Sequence, residues 1–126
     1  MISKIRNNKA AFTLVEIMIV VAIIGLLAAL AIPGFVKARK QSQGRRIIND
    51  ARQMDAAIDQ WALEKGKVDG DTVNTTEAAT YLKTTWNNND LLGNAYIVGP
   101  VGVGQVKVDT ASKTALAGVG IDWGAY

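Results

Sequence analysis

The longest uniform feature of the sequence is an apolar block from Ala10 to Val36, in which Glu16 is the one charged residue. Its main part reads FTLVEIMIVVAIIGLLAALAIPGFV, and apolar residues surround a helical projection on every side. A helix of this length measures about 37 Å, enough to cross a hydrocarbon core of about 30 Å. The pattern therefore predicts a helix over residues 12–36 that faces lipid or other apolar helices along its whole length.

From Lys37 the helical pattern continues, but its apolar residues now lie on one side. They recur at alternating spacings of four and three and form a stripe of five: Ile47, Ala51, Met54, Ile58 and Trp61. At about 100° per residue these positions share one face of a helix. The pattern predicts an amphipathic stem helix over residues 37–65 that packs against the remainder of the domain, with Gly66 as its cap.

Beyond Gly66 the composition changes to Gly, Asn, Thr and Asp, which is typical of short elements joined by turns. We expect a helix from Thr75 to about Lys83 opened by a capping box at residues 74–77, strands at 95–98 and 105–108, and a helix over residues 110–117. These elements are too few to build a strong core alone, so the stem stripe is expected to supply one wall. The predicted fold class is α+β: a long N-terminal hydrophobic helix continues into an amphipathic stem packed on a small C-terminal head, residues 66–126, with short helices and a small antiparallel sheet.

Composition narrows the function classes. The 126 residues include no histidine and no cysteine, and serine occurs at three positions only. Imidazole bases, thiol nucleophiles, His/Cys zinc sites and disulfides are therefore absent from the chain. We predict that the protein is not an enzyme and uses no cofactor.

The net charge of +3 comes from blocks of different sign. Residues 1–11 carry +3, Glu16 carries −1, residues 37–52 carry +5 and residues 53–126 carry −4. Removal of the first eleven residues would leave a neutral chain, so the basic character belongs to the precursor rather than to the finished molecule.

The apolar block has two general explanations. A cleaved secretory signal would use Ala29-Leu30-Ala31 as its small-residue site, but the apolar run exceeds the usual 7–15 residues and contains a carboxylate. A plain membrane anchor explains the length, but not Glu16, which costs about 2.5–3.5 kcal/mol if it sits deep and charged.

A third interpretation gives Glu16 a function. The segment Lys9-Ala10-Ala11-Phe12-Thr13-Leu14-Val15-Glu16, followed by the apolar run, resembles the processing site of type IV prepilins and type II secretion pseudopilins. The resemblance covers residues 4 to about 36, close to a quarter of the chain. It departs from the family in one respect, because Ala11 stands where the family usually has glycine; alanine is small enough that we still expect cleavage.

The resemblance implies a fold and a set of site residues. Residues 1–11 would be a basic leader, cut between Ala11 and Phe12, and the new amino group of Phe12 would be methylated. Glu16, the fifth mature residue, would meet the Phe12 amine of a neighbouring subunit and set the register of assembly, since a buried carboxylate is tolerable beside an opposite charge. A lone carboxylate that snorkels to the membrane surface is the alternative.

Pro33, which would be the twenty-second mature residue, lies where these proteins commonly have a proline, and Gly34 follows it. Proline removes a backbone donor and clashes with the preceding turn, so we expect a kink or local melting of the helix there. The alternative is that the pair ends the membrane helix and begins a linker.

Other signals are weaker. The basic residues from Lys37 to Arg52 could contact anionic lipid headgroups or the acidic heads of neighbouring subunits. The sequence has no aromatic residue between Phe35 and Trp61, so stacking on nucleic acid bases is unsupported. Calcium in the head would need converging oxygens; Asp69, Asp71 and Asn74, or Asp90 with its asparagines, match no defensible calcium loop. We predict neither a nucleic acid partner nor a metal site.

The sequence therefore predicts a structural subunit of a type IV pilus-like filament serving adhesion, motility or secretion. By the resemblance, it enters the inner membrane once, with its leader cytoplasmic and its head outside, and then joins a periplasmic or extracellular filament. Its partners would be copies of itself, the prepilin peptidase, the inner-membrane assembly machinery and the lipid bilayer. The alternative is a non-polymerising single-span membrane protein that presents a small binding head.

Overall fold

A long helix dominates the first half of the chain. The computed structural model describes residues 13–126, and helix α1 runs from Leu14 to Lys65. The described residues divide into two compact units between Lys37 and Ala38, and α1 contributes to both. Its end is fixed by Gly66, which has φ 63°, and by a hydrogen bond from the Lys67 N–H to the Ala62 carbonyl at 2.8 Å. This is the six-to-one bond of a glycine-terminated helix, as the sequence predicts.

The head contains only short elements. Helix α2 spans Thr75–Ala78 and continues as a 3₁₀ turn over Ala79–Tyr81. Strands β1 (Ile97–Val98) and β2 (Val106–Lys107) pair antiparallel, with Ile97 opposite Lys107. Helix α3 spans Thr110–Ala115. The long helix and the small antiparallel head therefore confirm the predicted fold class.

Several predicted boundaries in the head are wrong by a few residues. The helix predicted to reach about Lys83 ends at Tyr81, the one predicted over residues 110–117 ends at Ala115, and both strands are two residues long. The capping box at residues 74–77 is only half formed: the Asn74 side chain accepts from the backbone of Thr76 and Glu77, but the Glu77 carboxylate accepts from Trp61 Nε1 at 2.8 Å. A buried indole N–H needs a partner, and this need outweighs the local reciprocal cap.

The core of the second unit lies between α1 and the head. The stem stripe meets buried side chains from each part of the head, among them Ala78, Tyr96, Val101, Val106, Val108 and Leu116. The head thus gains from α1 an apolar wall that its own short elements lack, because a domain of this size buries only a modest fraction of its surface.

One buried polar side chain ties the loop between β1 and β2 to α1. Gln105 is almost fully buried. Its amide nitrogen donates to the Asp55 carbonyl at 3.1 Å and to Asp59 Oδ1 at 2.7 Å, while its oxygen accepts from the Gly102 N–H at 3.1 Å. Every hydrogen-bonding group of this side chain that faces the protein is paired, so its burial is tolerated.

The C-terminal segment packs along α1 at three points. The Gln41 amide donates to the Val119 carbonyl at 2.8 Å, Ile121 lies against Gly44, and the Tyr126 hydroxyl donates to Asp55 Oδ2 at 3.1 Å. A Cβ atom at position 44 would lie 3.1 Å from Ile121 Cγ1 and closer still to its terminal methyl. Glycine at position 44 therefore gives the segment room to approach the helix.

Candidate assembly surfaces

The part of α1 from Leu14 to Val36, here called the apolar surface, leaves its side chains uncovered. Leu14 is 77% exposed, Leu30 74% and Phe35 69%, and the other large aliphatic residues of the segment are also exposed. Helix α1 is long and apolar enough to cross a membrane, and its most apolar stretch has no buried residue. Full burial of each such side chain is worth about 1.5–3 kcal/mol, so this segment favours lipid or other apolar helices over water.

Thr13 and Glu16 shape the N-terminal end of the apolar surface. The Glu16 N–H donates to Thr13 Oγ1 at 3.2 Å, and the Ile17 N–H donates to the Thr13 carbonyl at 3.3 Å. Thr13 is thus the N-cap, and the exposed Glu16 side chain lies in the first turn, where a negative charge is favoured by the helix dipole. The Thr-x-x-Glu spacing is also that of a capping box, a signal that the sequence interpretation missed because it read Glu16 only as an assembly residue.

The predicted cleavage and methylation positions, Ala11 and Phe12, lie outside the described residues. The pairing of Glu16 with a Phe12 amine therefore stays a prediction.

Pro33 and Gly34 both lie within α1, which is assigned as helix without interruption from Leu14 to Lys65. The alternative that this pair ends the membrane helix and begins a linker is therefore wrong. Bending or local melting of the helix at Pro33 stays a prediction.

The structure places all five residues of the stem stripe in the core. Each of Ile47, Ala51, Met54, Ile58 and Trp61 is no more than 2% exposed. The sequence interpretation missed three contributors on the head side: Gln105, Tyr96 and Ile121. A lone glutamine in a loop and a single isoleucine in a glycine-rich tail carry no periodic signal, so pattern analysis had no means to find them.

Tyr96 is the one strongly perturbed titratable group of the head. Its side chain is buried, and its hydroxyl faces the Ile47 carbonyl at 3.5 Å. Burial, and then the nearby carboxylates of Asp50 and Asp90, raise the pKa of Tyr96 well above its usual value. The phenol thus stays neutral at any physiological pH and acts as a packing residue.

The acidic side chains of the head form no metal-ligating group. Across residues 13–126 no three His, Cys, Asp or Glu side chains are arranged to hold a metal ion. Two of the three carboxylates considered for calcium bind the chain itself: Asp71 accepts from the Val68 N–H at 3.0 Å, and Asp90 accepts from the Leu92 and Asn94 N–H groups and from the Ser112 hydroxyl.

Comparison with known proteins adds an independent line of evidence. Residues 6–32 match the family model described as the prokaryotic N-terminal methylation motif. The chain is 33% identical over 118 residues to the type IV major fimbrial protein FimA of Dichelobacter nodosus, covering 94% of this chain and 64% of that protein. It is 31% identical over 113 residues to the fimbrial protein EcpC of Eikenella corrodens, covering 90% and 69%.

A secretion protein is also similar. The type II secretion system core protein G of Klebsiella pneumoniae is 30% identical over 61 residues, which is 48% of this chain and 44% of that protein. The chain spans between 40% and 64% of the length of the first three fimbrial relatives that it matches. No solved structure gives a significant match.

Proposed function

Since this chain belongs to the family of type IV pilins and type II secretion pseudopilins, we propose that it is the structural subunit of a pilus-like filament, made as a membrane-inserted prepilin. The observation that carries the proposal is the apolar surface with Glu16 at its N-terminal end. A monomer in water would leave this surface exposed at a large free-energy cost, whereas a bilayer, and afterwards a bundle of like helices, would cover it.

Processing prepares the subunit for this change of surroundings. By the family resemblance the leader, residues 1–11 with Lys4, Arg6 and Lys9, lies in the cytoplasm until the prepilin peptidase cuts before Phe12. The positive-inside preference does not decide this orientation, because residues 37–52 beyond the span carry +5. The cut removes the three basic residues of the leader. It creates a new amino terminus at Phe12, four residues ahead of Glu16. Methylation of that amine follows.

In the filament the carboxylate of Glu16 pairs with the Phe12 amine of a neighbour. Two opposite charges at close range in an apolar setting attract strongly, and the loss of either leaves the other buried without a partner. The pair therefore selects one axial register among the many that a featureless apolar helix would allow. The head, displayed outside the membrane, then forms the outer part of the filament.

The test is the intact mass and the N-terminal peptide of the protein isolated from its native membrane or from sheared filaments. We expect a chain that begins at Phe12 and is one methyl group heavier than the unmodified sequence. A chain beginning at Ile32 would indicate ordinary signal cleavage, and an intact Met1 would indicate a plain anchor; either result contradicts the proposal.

A further inference from the structure

The second unit has a groove beside α1 that contains two exposed arginines. The groove, here called the basic groove, is lined on the helix side by Arg45, Ile48, Asn49 and Arg52 and on the tail side by Ile121 and Asp122. Arg45, Asn49 and Arg52 are spaced four and three residues apart, so they share one flank of the helix. Both arginines are exposed, and no side-chain hydrogen bond within residues 13–126 uses either guanidinium.

Nearly all carboxylates of the segment 53–126, by contrast, already accept a hydrogen bond inside the molecule. In the segment 53–126, eight of the nine acidic side chains accept a hydrogen bond: Asp55, Asp59, Glu64, Asp71, Glu77, Asp90, Asp109 and Asp122. Asp69 is the exception among the described residues, and its side chain is exposed. It is the one carboxylate of the segment 53–126 that accepts no hydrogen bond from the described residues, so all of its acceptor sites are open to another molecule.

Asp69 is presented by a loop held in place at both ends. The loop, residues 68–71, closes with a bond from the Asp71 N–H to the Val68 carbonyl at 3.1 Å. It is fixed to Val101 by two backbone bonds, Gly70 N–H to the Val101 carbonyl at 2.8 Å and Val101 N–H to the Asp71 carbonyl at 2.9 Å. A loop already ordered before binding loses little conformational entropy when it docks.

The basic groove and Asp69 belong to different levels of the stem. Asp69 packs against Gly102, the Gly102 N–H donates to Gln105, and Gln105 donates to Asp59. Asp59 lies ten residues beyond Asn49, or about 15 Å along the helix. The two arginines of the groove and Asp69 therefore lie at different levels along the stem.

We propose that the basic groove receives the Asp69 loop of a second copy of this chain. A contact between two different surfaces of identical subunits is heterologous and repeats without closing, which is the symmetry that a filament needs. The inference rests on the proposed function, because it names the contact by which the heads of adjoining subunits meet. The groove carries two arginines against one aspartate, so its small net charge suits a single carboxylate better than a polyanion such as nucleic acid.

Site-directed cross-linking of the full-length protein in its native membrane tests the contact. The chain has no cysteine, so introduced thiols face no background. Asn49→Cys lies between the two arginines, and Val68→Cys, at a residue 67% exposed, lies beside Asp69. Oxidation of the double variant should give a ladder of multimers, whereas each single variant should stay monomeric. Asn49→Cys with Thr76→Cys, another exposed head position, is the matched control and should give no ladder.

Charge reversal in the same double-cysteine background separates a specific contact from chance proximity. Asp69→Lys should lower the yield of multimers by roughly tenfold or more, the size expected for a close interfacial charge pair. Addition of Arg52→Glu to that variant should restore the ladder.

The remaining outcomes overturn the proposal. Absence of a ladder while the parent protein forms filaments from a chain starting at Phe12 would reject this contact and leave the proposed function standing. Dimers of the Asn49→Cys single variant would indicate a groove-to-groove contact instead. An intact ladder in the Arg45→Glu, Arg52→Glu variant of the double-cysteine protein would show that the arginines do not hold the Asp69 loop and would reject the contact.

Discussion

Glu16 is unusual among the residues of the apolar surface because it has a local role in the structure and is proposed to have an intermolecular one. Its backbone N–H completes the Thr13 cap, and its carboxylate lies in the first turn of α1. The cap uses only the backbone, so the carboxylate remains available to a neighbouring subunit. The local geometry alone would be served equally well by an amide, which makes the charge itself testable.

Glu16→Gln should therefore abolish filaments while membrane insertion and cleavage before Phe12 continue. Loss of the charge leaves the neighbouring amine buried without a partner, at a cost of about 3–5 kcal/mol per contact. Electron microscopy of sheared material, with N-terminal sequencing of the membrane fraction, measures both parts. Glu64→Gln, the same change in the exposed stem, should leave filaments normal. Normal filaments from Glu16→Gln would favour a snorkelling carboxylate.

Tyr96 makes the head sensitive to alkali. Because its pKa is raised in the folded protein, the folded state keeps the phenol proton at a pH where the unfolded chain loses it. The stabilisation from the neutral phenol is complete below about pH 10, the usual pKa of tyrosine, and is lost as the pH rises above it.

We expect the midpoint temperature of thermal unfolding to decrease as the pH is raised above about 10. The decrease should be less steep in Tyr96→Phe than in the parent protein. Tryptophan fluorescence in detergent solution follows the transition, since Trp61 is buried in the same core. An identical pH dependence of the two proteins between about pH 10 and 12 would show that Tyr96 does not contribute.

At the level of helices and strands, the exposure of apolar side chains changes most clearly along α1. Its first part exposes apolar side chains on all sides, whereas its second part buries one stripe and leaves charges on the other faces. The same backbone hydrogen-bond pattern serves both parts, and the side chains alone determine what each part contacts. Pro33 removes one backbone donor inside the first part, so the ladder of α1 is locally weakened where the apolar surface ends.

The short elements of the head rely on α1 and on the tail for their stability. Two-residue strands and helices of four and six residues are not stable alone. The contact of Ile121 with Gly44 and the bond from Tyr126 to Asp55 hold the tail on the stem beside them.

Gly44→Ala should therefore destabilise the second unit by about 1 kcal/mol, since the crowding of Ile121 by the new methyl group outweighs the gain of about 0.5–1 kcal/mol from replacing a glycine inside a helix. The added Ile121→Ala change should recover part of this loss by making room. Thermal unfolding of the parent, the single variants and the double variant measures the coupling. Additive effects would mean that the two residues do not meet. Gly34→Ala, which meets nothing within 4 Å, is the matched control.

Considered as a whole, the chain joins a unit that needs an apolar environment to one that needs water. The apolar surface carries Glu16 as its one charge, whereas residues 38–52 carry five basic residues against Asp50 and residues 53–126 carry −4. The second unit is thus neutral overall but separated into basic and acidic parts. Under the proposed function, the apolar surface would exchange contact with lipid for contact with other helices, without any change in the fold of the head.

Val21→Arg should release the protein from the membrane fraction or reduce its insertion, because an arginine near the middle of the apolar surface costs about 2.5–3.5 kcal/mol on insertion scales. Val103→Arg places the same residue at a fully exposed position of the head and should leave insertion unchanged. Alkaline extraction of membranes distinguishes integral from loosely bound protein. Extraction-resistant Val21→Arg protein at the parent level would contradict a membrane role for this segment.

The sequence alone was sufficient to predict the features that are periodic or that involve residues close together in the chain. The apolar block, the i, i+4, i+7 stripe and the glycine after Lys65 each carry a signal within a few turns of helix, and α1 and its buried face agree with them. The resemblance around Glu16 was equally readable, because a processing motif is recognised as a linear segment. These features depend on neighbours in the chain, so a single sequence contains their cause.

Contacts between residues that are far apart in the sequence could be identified only in the folded structure. The Trp61–Glu77 hydrogen bond joins residues 16 positions apart, and Gln105 bonds to Asp55 and Asp59, which are 50 and 46 positions away. The contact between Ile121 and Gly44 joins residues 77 positions apart. No periodic pattern marks such pairs, since a buried polar atom takes whichever partner the packing brings near it. The same holds for Asp69, which is distinguished only by the folded structure, where every other carboxylate of the segment 53–126 accepts a hydrogen bond.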